Sequence, residues 1–398
     1  MQNYYNQRLL KNKLLSILSL AVIYSCQSQH NEMPGLKTDT SLQKAAIVQA
    51  LPKEEKEKYH AAIEQVLTKN LLRGSFNGAI LVAKNGDIVY ETYVGLQDPR
   101  VKKGDSITAE TPFQIASTGK TMTSAAVLKL WQDGKLSLDD EVTKFFPGFP
   151  YPGVTVKTLL NHRSGLPNYL YYMEKGGWNR KQQATNTDVL NTLINWKPAK
   201  AANADKRFQY CNTNYILLAL IVEQVSGLSF PEYMKQAIFE PLGMKNTFVI
   251  GLSEQADHMQ SFQHNNALWS LDFSDGPYGD KNIYSTPRDL LLWDRAMTEG
   301  RVLNEKTLEA TYTAYSNEKP GIHNYGLGWR MLLYPSGKKV IYHNGHWHGF
   351  NSAFARLPDE EATIIIISNR HNNGVYNTAK KLYEVFGHYE GKEEVGEE

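Results

Sequence analysis

Apolar and polar positions divide the chain into helical and strand-like stretches. Between Glu55 and Leu72, the residues Ile63, Val66, Leu67 and Leu71 recur near the spacing of one helical face, and Gly74 follows as a stop. Two strand-like runs, Ala79–Lys84 and Asp87–Tyr93, flank Asn85-Gly86, a pair that favours a hairpin. From Ser117 to Trp131 the pattern is helical, with Met122, Ala126, Leu128 and Leu130, and Asp133-Gly134 ends it. Residues 135 to 207 read as mixed loop and short helix, with Tyr169, Tyr171, Tyr172, Trp178 and Trp196 among them. Asn214 to Val225 is apolar almost all round, which predicts a buried helix closed by Gly227. Thr286-Pro287 opens a further helix, Arg288 to Met297, with proline in its first turn.

After Gly326 the pattern changes to strands: Leu327–Leu333, Val340–His343, Asn351–Leu357 and Thr363–Ile367, with Ser336-Gly337 between the first two. A last helix, Val375 to Phe386, precedes an acidic tail over 389–398. Strands at both ends with helices between them predict an α/β (α+β) fold. Its sheet-bearing part spans about 53–110 and 322–388, and an inserted, mainly helical part spans about 111–321. No internal repeat is visible.

With 398 residues, 41% hydrophobic and 21% charged, the chain has the composition of a globular protein of two domains, or of one large domain with insertions. The formal charge is +2, and the first 25 residues contribute Arg8, Lys11 and Lys13 without an acid. The remainder is close to neutral, which gives no reason to expect a nucleic-acid partner. Two cysteines, Cys26 and Cys211, exclude a disulfide framework.

Those three basic residues precede an apolar run, Leu14 to Tyr24. As a helix it would rise only about 16 Å, too short to span a bilayer. A basic start followed by a short apolar run reads as a signal peptide over 1–25. It ends Ile23-Tyr24-Ser25-Cys26, which resembles the lipobox of bacterial lipoproteins. That resemblance implies export to the bacterial cell envelope, periplasmic or at the outer membrane, with Cys26 lipidated and the membrane held by acyl chains. An ordinary cleaved signal is the alternative. Residues 26–52 are polar and read as a tether.

An active serine needs a partner for its proton. Ser-x-x-Lys at the start of a helix supplies one, because the spacing puts the lysine beside the hydroxyl. The pattern occurs four times: Ser41–Lys44, Ser117–Lys120, Ser316–Lys319 and Ser336–Lys339. Only Ser117 opens a long, largely apolar helix. Its structural alternative is a helix cap with an exposed lysine. Tyr-x-Asn occurs at Tyr4–Asn6, Tyr210–Asn212 and Tyr315–Asn317. Only Tyr210 leads directly into the buried helix. A third element, His343-Asn344-Gly345, closes an apolar strand, where a glycine allows close approach of a substrate.

Taken in order, these stretches resemble the serine β-lactamase-like hydrolases: class C β-lactamases, D-Ala-D-Ala carboxypeptidases of the penicillin-binding type, D-aminopeptidases and carboxylesterases. Phe113 to Lys120 (FQIASTGK) matches the first motif. Support comes from Gly134 to Asp140, Asn161 to Pro167, Phe208 to Tyr215, Pro241 to Met244, Tyr284 to Leu290 and Tyr325 to Trp329. The resemblance runs from about Gly78 to Asn369 and is specific for the superfamily, not for the substrate. It implies an antiparallel sheet flanked by helices. It implies Ser117 as nucleophile, Lys120 as its activating partner and Tyr210 as general base. An unperturbed phenol ionises near 10, so that role calls for nearby cations, with Lys120 and His343 at hand. Asn212 would hold a substrate amide or carbonyl. His343 would meet the substrate's carboxylate or leaving group, and the backbone N–H groups of Ser117 and His346 would form the oxyanion hole beside Gly345. The expected cycle is an acyl-enzyme that is then hydrolysed, with no cofactor.

His343 stands where many relatives have lysine. A histidine is partly charged near neutrality, so carboxylate recognition should be weaker and pH-dependent. The variant points toward peptidases and D-aminopeptidases rather than class C β-lactamases; an esterase and a catalytically weak cell-wall or peptide-binding module are the other readings. Strand alternation would put His346 and His348 on one face and His343 on the other, and no cysteine or carboxylate lies in that run, so no metal is expected. Cys211 reads as a packed thiol and His162 as a structural residue. The aromatic stretch from Tyr169 to Trp196 either covers the cleft or fills the helical part.

Overall fold

The computed structural model describes residues 50–252 and 258–389. The signal peptide, Cys26 and most of the tether lie outside the described residues. Among the described residues the strands are β1 (Gly78–Lys84), β2 (Asp87–Val94), β3 (Phe113–Gln114), β4 (Phe248–Val249), β5 (Ile283–Ser285), β6 (His323–Tyr325), β7 (Arg330–Leu333), β8 (Lys339–Trp347), β9 (Phe350–Leu357) and β10 (Ala362–Ser368). Seven of them form one sheet in the order β2-β1-β10-β9-β8-β7-β6, and every neighbouring pair is antiparallel. Early and late segments of the described chain therefore meet inside the sheet, where β1 pairs with β10 from Gly78↔Ser368 to Lys84↔Ala362. The predicted hairpin is present, with Asn85 and Gly86 at φ 51° and 76°, the left-handed pair such a turn needs.

β9 and β10 are buried along their whole length. A sheet covered on both faces needs no polar alternation, which is why Ile364 to Ile367 is a continuous apolar run. One face, with Ile80, Val82, Ile364 and Ile366, packs under the terminal helices Lys53–Leu67 and Gly374–Lys381. The other face, with Leu81, Ile341, Phe354 and Ile365, shares one continuous core with the helices Lys120–Gln132, Asn212–Ser226 and Pro287–Thr298. Among the described residues no single helix is long and apolar enough to cross a bilayer. The apolar Asn212–Ser226 helix instead lies inside that core and ends on Gly227 at φ 74°.

The structure differs from the sequence reading at several points. The folded chain begins before Lys53: Leu51 is buried and its N–H donates to Asp87 Oδ2 at 2.9 Å. It continues to Tyr389, which is buried against Tyr334 and Tyr383. The last helix is two pieces, Gly374–Lys381 and Tyr383–Phe386. A second sheet, in the order β3-β5-β4, sits within the helical part. Its strands are two or three residues long, too short to leave a period in the sequence.

Candidate active site

The chain leaves β3 through a 3₁₀ turn, Ala116–Gly119, and the α-helix starts at Lys120. Ser117 thus stands in a turn ahead of the helix and does not cap it. Ala116 has φ 46°, a left-handed conformation that costs on the order of 1–2 kcal/mol for a residue with a side chain. Pins to the main sheet hold it there. Thr118 Oγ1 donates to His343 O at 3.1 Å and meets Ser352 Oγ at 2.8 Å, and Ser352 Oγ donates to Ile115 O at 2.7 Å. Gly345 permits the approach: a Cβ there would overlap Ile115 O and Ser352 Oγ and lie 3.1 Å from Ser117 N.

Lys120 is fully buried. Its Nζ donates to Ser117 Oγ at 2.9 Å and to the carbonyl of Asp280 at 2.6 Å, and it lies over the rings of Tyr210 and Tyr215, 5.2 and 5.6 Å from their centroids. Among the described residues no carboxylate pairs with it. The Asp280 carboxylate faces elsewhere. It takes Lys281 Nζ at 3.3 Å and the hydroxyl of Tyr169 at 3.2 Å, while Lys281 also donates to Tyr169 Oη at 2.5 Å. Burial pushes the Lys281 ammonium below its ordinary value, Asp280 and Asp275 oppose that, and Lys120 adds to it. Of the ambiguous aromatic stretch, then, Tyr169 is an interior anchor, whereas Tyr171 and Trp196 are exposed.

Tyr210 sits one residue before the cap of the Asn212–Ser226 helix. Its ring lies on the imidazole of His162, with centroids 4.2 Å apart. His162 is wholly buried, and its Nδ1 accepts from Cys211 N at 3.2 Å. Burial, then the nearby charges of Lys120 and Arg330, hold it well below the usual imidazole range, so it is a neutral platform for Tyr210. Cys211 is the packed thiol anticipated: it donates to Leu166 O, and burial raises it to about 11. Asn212 Oδ1 is buried and has no hydrogen-bond partner among the described residues.

His343 departs from expectation. It is 1% exposed, its Nδ1 donates to Asn344 O at 2.8 Å and its Nε2 takes Tyr325 Oη at 3.2 Å. Burial, then Arg330 and Lys120, push it well below the imidazole range. The ring is neutral and cannot serve as the partly charged carboxylate partner or as a cation for Tyr210. Arg330 holds that second position, with its guanidinium carbon 5.3 Å from the Tyr210 ring centroid. Sequence reasoning missed it, although a lone arginine inside the apolar run Leu327–Leu333 was a visible signal. It also missed Asp280, whose carbonyl orients Lys120.

His346 is the penultimate residue of β8, and His348 lies beyond the strand, in the turn to β9, at φ 51°. The alternation argument for these histidines therefore stops at Trp347. Asp275 accepts from Trp347 Nε1 at 2.7 Å and pairs with His348 Nε2 at 2.9 Å. A small cleft opens at this end of β8, lined by Gln114, Trp269, Asp275, Trp347, His348 and Phe350 among others. Among the described residues no three histidine, cysteine or acidic side chains converge as metal ligands would.

The family model described as Beta-lactamase matches residues 61–386. The chain belongs to the Beta-lactamase family. It is 30% identical over 349 residues to penicillin-binding protein 4* of Bacillus subtilis, covering 82% of this chain and 75% of that protein. It is 26% identical over 342 residues to protein flp of Staphylococcus aureus, covering 80% of this chain and 65% of that protein's length. Among solved structures it resembles D-amino acid amidase of Ochrobactrum anthropi SV3, with TM-score 0.65 at 24% identity over 82% of this chain and 96% of that one. This Beta-lactamase-family chain is a serine hydrolase on the fold of the penicillin-binding proteins.

Proposed function

We propose that the protein hydrolyses an amide or ester, such as a D-amino-acid peptide, through an acyl-enzyme on Ser117. The observation that carries this reading is Lys120: a wholly buried ammonium without a carboxylate, spending its bonds on the serine oxygen and one carbonyl. A structural lysine at that depth needs a counter-charge. This one instead sets its charge against the Ser117 oxygen and over the Tyr210 ring. Tyr210, between Lys120 and Arg330, takes the serine proton as Oγ attacks the carbonyl carbon. The N–H groups of Ser117 and His346 hold the oxyanion. Tyr210 then returns the proton to the leaving group, and water hydrolyses the ester by the same route. The unpartnered Asn212 Oδ1 suits a substrate N–H, which favours amides.

The test is covalent labelling of the soluble domain with a fluorophosphonate, followed by intact mass. Wild type is expected to gain one adduct on Ser117, and Ser117→Ala none. A folded Ser117→Ala that labels and turns over normally sinks the assignment. D-aminoacyl amides against p-nitrophenyl esters then separate a peptidase from an esterase.

For the start of the chain we propose an envelope lipoprotein anchored through Cys26. Metabolic labelling with a fatty acid is expected to mark the wild type and not Cys26→Ala. Equal labelling of both refutes the anchor.

A further inference from the structure

The peptide that joins Gly345 to His346 is held from behind. Its carbonyl, Gly345 O, accepts from Tyr376 Oη at 2.8 Å. Tyr376 belongs to the Gly374–Lys381 helix, which covers the opposite face of the sheet from the helix that bears Lys120 and the helix that follows Tyr210. The tyrosine oxygen in turn accepts from Asn351 Nδ2 at 2.7 Å. Asn351 is wholly buried, is the β9 residue opposite His346, and also lies 3.3 Å from His346 Nδ1 through the same nitrogen. Its Oδ1 accepts from Asn372 N at 2.8 Å, which fixes which end of the amide faces Tyr376.

In a trans peptide the N–H points away from the C=O of the same unit. The carbonyl of Gly345 faces β9 and Tyr376, so the N–H of His346 faces the other edge of β8. That edge has no strand beside it beyond the Arg330↔Tyr342 pair, and Ser117 N lies 3.1 Å from where a Cβ on Gly345 would stand. A donor on the carbonyl oxygen draws electron density from the nitrogen across the conjugated unit and strengthens the N–H as a donor. It also fixes the rotation of the peptide plane, and hence the aim of that N–H.

We propose that Tyr376, set by Asn351, is a positioning residue of the oxyanion hole, acting through the Gly345–His346 peptide. This rests on the reading of His346 N–H as an oxyanion donor. Tyr376 touches no reacting atom. Its hydroxyl polarises and aims a peptide whose far side meets the substrate. The arrangement ties the terminal helix to catalysis at a distance.

The test compares p-nitrophenyl acetate with its thiono analogue, in which sulfur replaces the carbonyl oxygen. Sulfur is a poor acceptor, so the thiono ester draws little from the oxyanion hole. Tyr376→Phe removes the hydroxyl and keeps the ring. It is expected to lower kcat on the oxygen ester about tenfold, a fraction of the loss for a whole donor, with KM within about twofold. The ester-to-thionoester rate ratio is expected to fall by a similar factor. A structural role would slow both esters equally and leave the ratio unchanged, which overturns the proposal. Because Tyr376→Phe removes a buried amide's partner, a second variant carries 3-fluorotyrosine at 376. It keeps both bonds with a stronger donor, and the ratio is expected to rise. An unchanged ratio there also overturns the proposal. Ser117-independent turnover in wild type would instead defeat the parent reading.

Discussion

Gly345→Ala tests the junction on which the site depends. In the native protein the strand and the nucleophile turn approach until a methyl at 345 would lie about an ångström inside contact with Ile115 O and Ser352 Oγ, and 3.1 Å from Ser117 N. Neither crowded neighbour can turn aside cheaply. Ile115 O is backbone, and Ser352 Oγ is already bonded to it and to Thr118. The turn must therefore retreat from β8 by about an ångström. Overpacking of this kind costs about 1–3 kcal/mol of stability. The catalytic cost is larger on the proposed mechanism, in which the two oxyanion donors, Ser117 N and His346 N, lie on opposite sides of the junction. Misaligning one of them loses about 10²–10³ in kcat, and a 1 Å displacement of the reacting groups gives a similar figure. The assay is kcat on a p-nitrophenyl ester beside a urea melt, with fluorophosphonate labelling as a count of live sites. The expected variant is folded, labels slowly and turns over at least about 100-fold more slowly. A folded Gly345→Ala with wild-type kcat would mean that the strand and the turn do not share an oxyanion site.

Arg330→Met should slow fluorophosphonate labelling by about tenfold or more, by removing one of the two cations over Tyr210; equal rates would leave Arg330 without a part in activating the serine. His162 and His343 both stay neutral in the fold with values well below 6.5, so the unfolded chain takes up protons there first as pH falls. Stability should therefore be complete above about pH 7 and decline below about 6.5, by up to about 1.4 kcal/mol per pH unit for each histidine. Urea titrations from pH 7.5 to 5 check the sign, His343→Gln should lessen the slope, and a flat profile would refute the neutral assignment. Asp280→Asn leaves Lys281 buried without its carboxylate and should destabilise the domain by about 3 kcal/mol, read as a lower urea midpoint; an unchanged midpoint would show that Asp280 does not stabilise that lysine.

Ser117, Lys120, Tyr210, Asn212 and Gly345 were legible in the chain because each lies in a short motif attached to a strongly patterned element. Lys120 is one turn from Ser117, and Tyr210 is fixed by the buried helix that follows it. The residues that were not legible act across the sheet. Arg330 reaches Tyr210 from β7, and Tyr376 reaches Gly345 from a helix some thirty residues downstream. No local period records such contacts. The charge of His343 was misjudged for a related reason. A histidine in a motif indicates what the position could do, but its burial by Tyr325 and its nearness to Arg330 decide what it does. The sheet order was out of reach as well: pairing β1 with β10 joins segments nearly the whole domain apart.

The electrostatics of the site follow from where Asp280 sends its two kinds of oxygen. Its carboxylate turns to Lys281 and Tyr169, and only its carbonyl reaches Lys120. One residue thus neutralises a buried lysine while leaving its neighbour uncompensated. Had the carboxylate faced Lys120, the ammonium would have been bound in an ion pair and its field cancelled at Ser117. The fold also withholds a third cation, because protonating His343 between Lys120 and Arg330 is disfavoured. What remains is a pocket with two positive charges over Tyr210 and one of them on Ser117 Oγ. Among the described residues no carboxylate pairs with Lys120, and on the proposed mechanism the negative charges it meets arise in the reaction itself, on the serine oxygen and the tetrahedral oxyanion. Stabilisation is greatest for charges absent from the resting site, and that difference between states is what lowers a barrier.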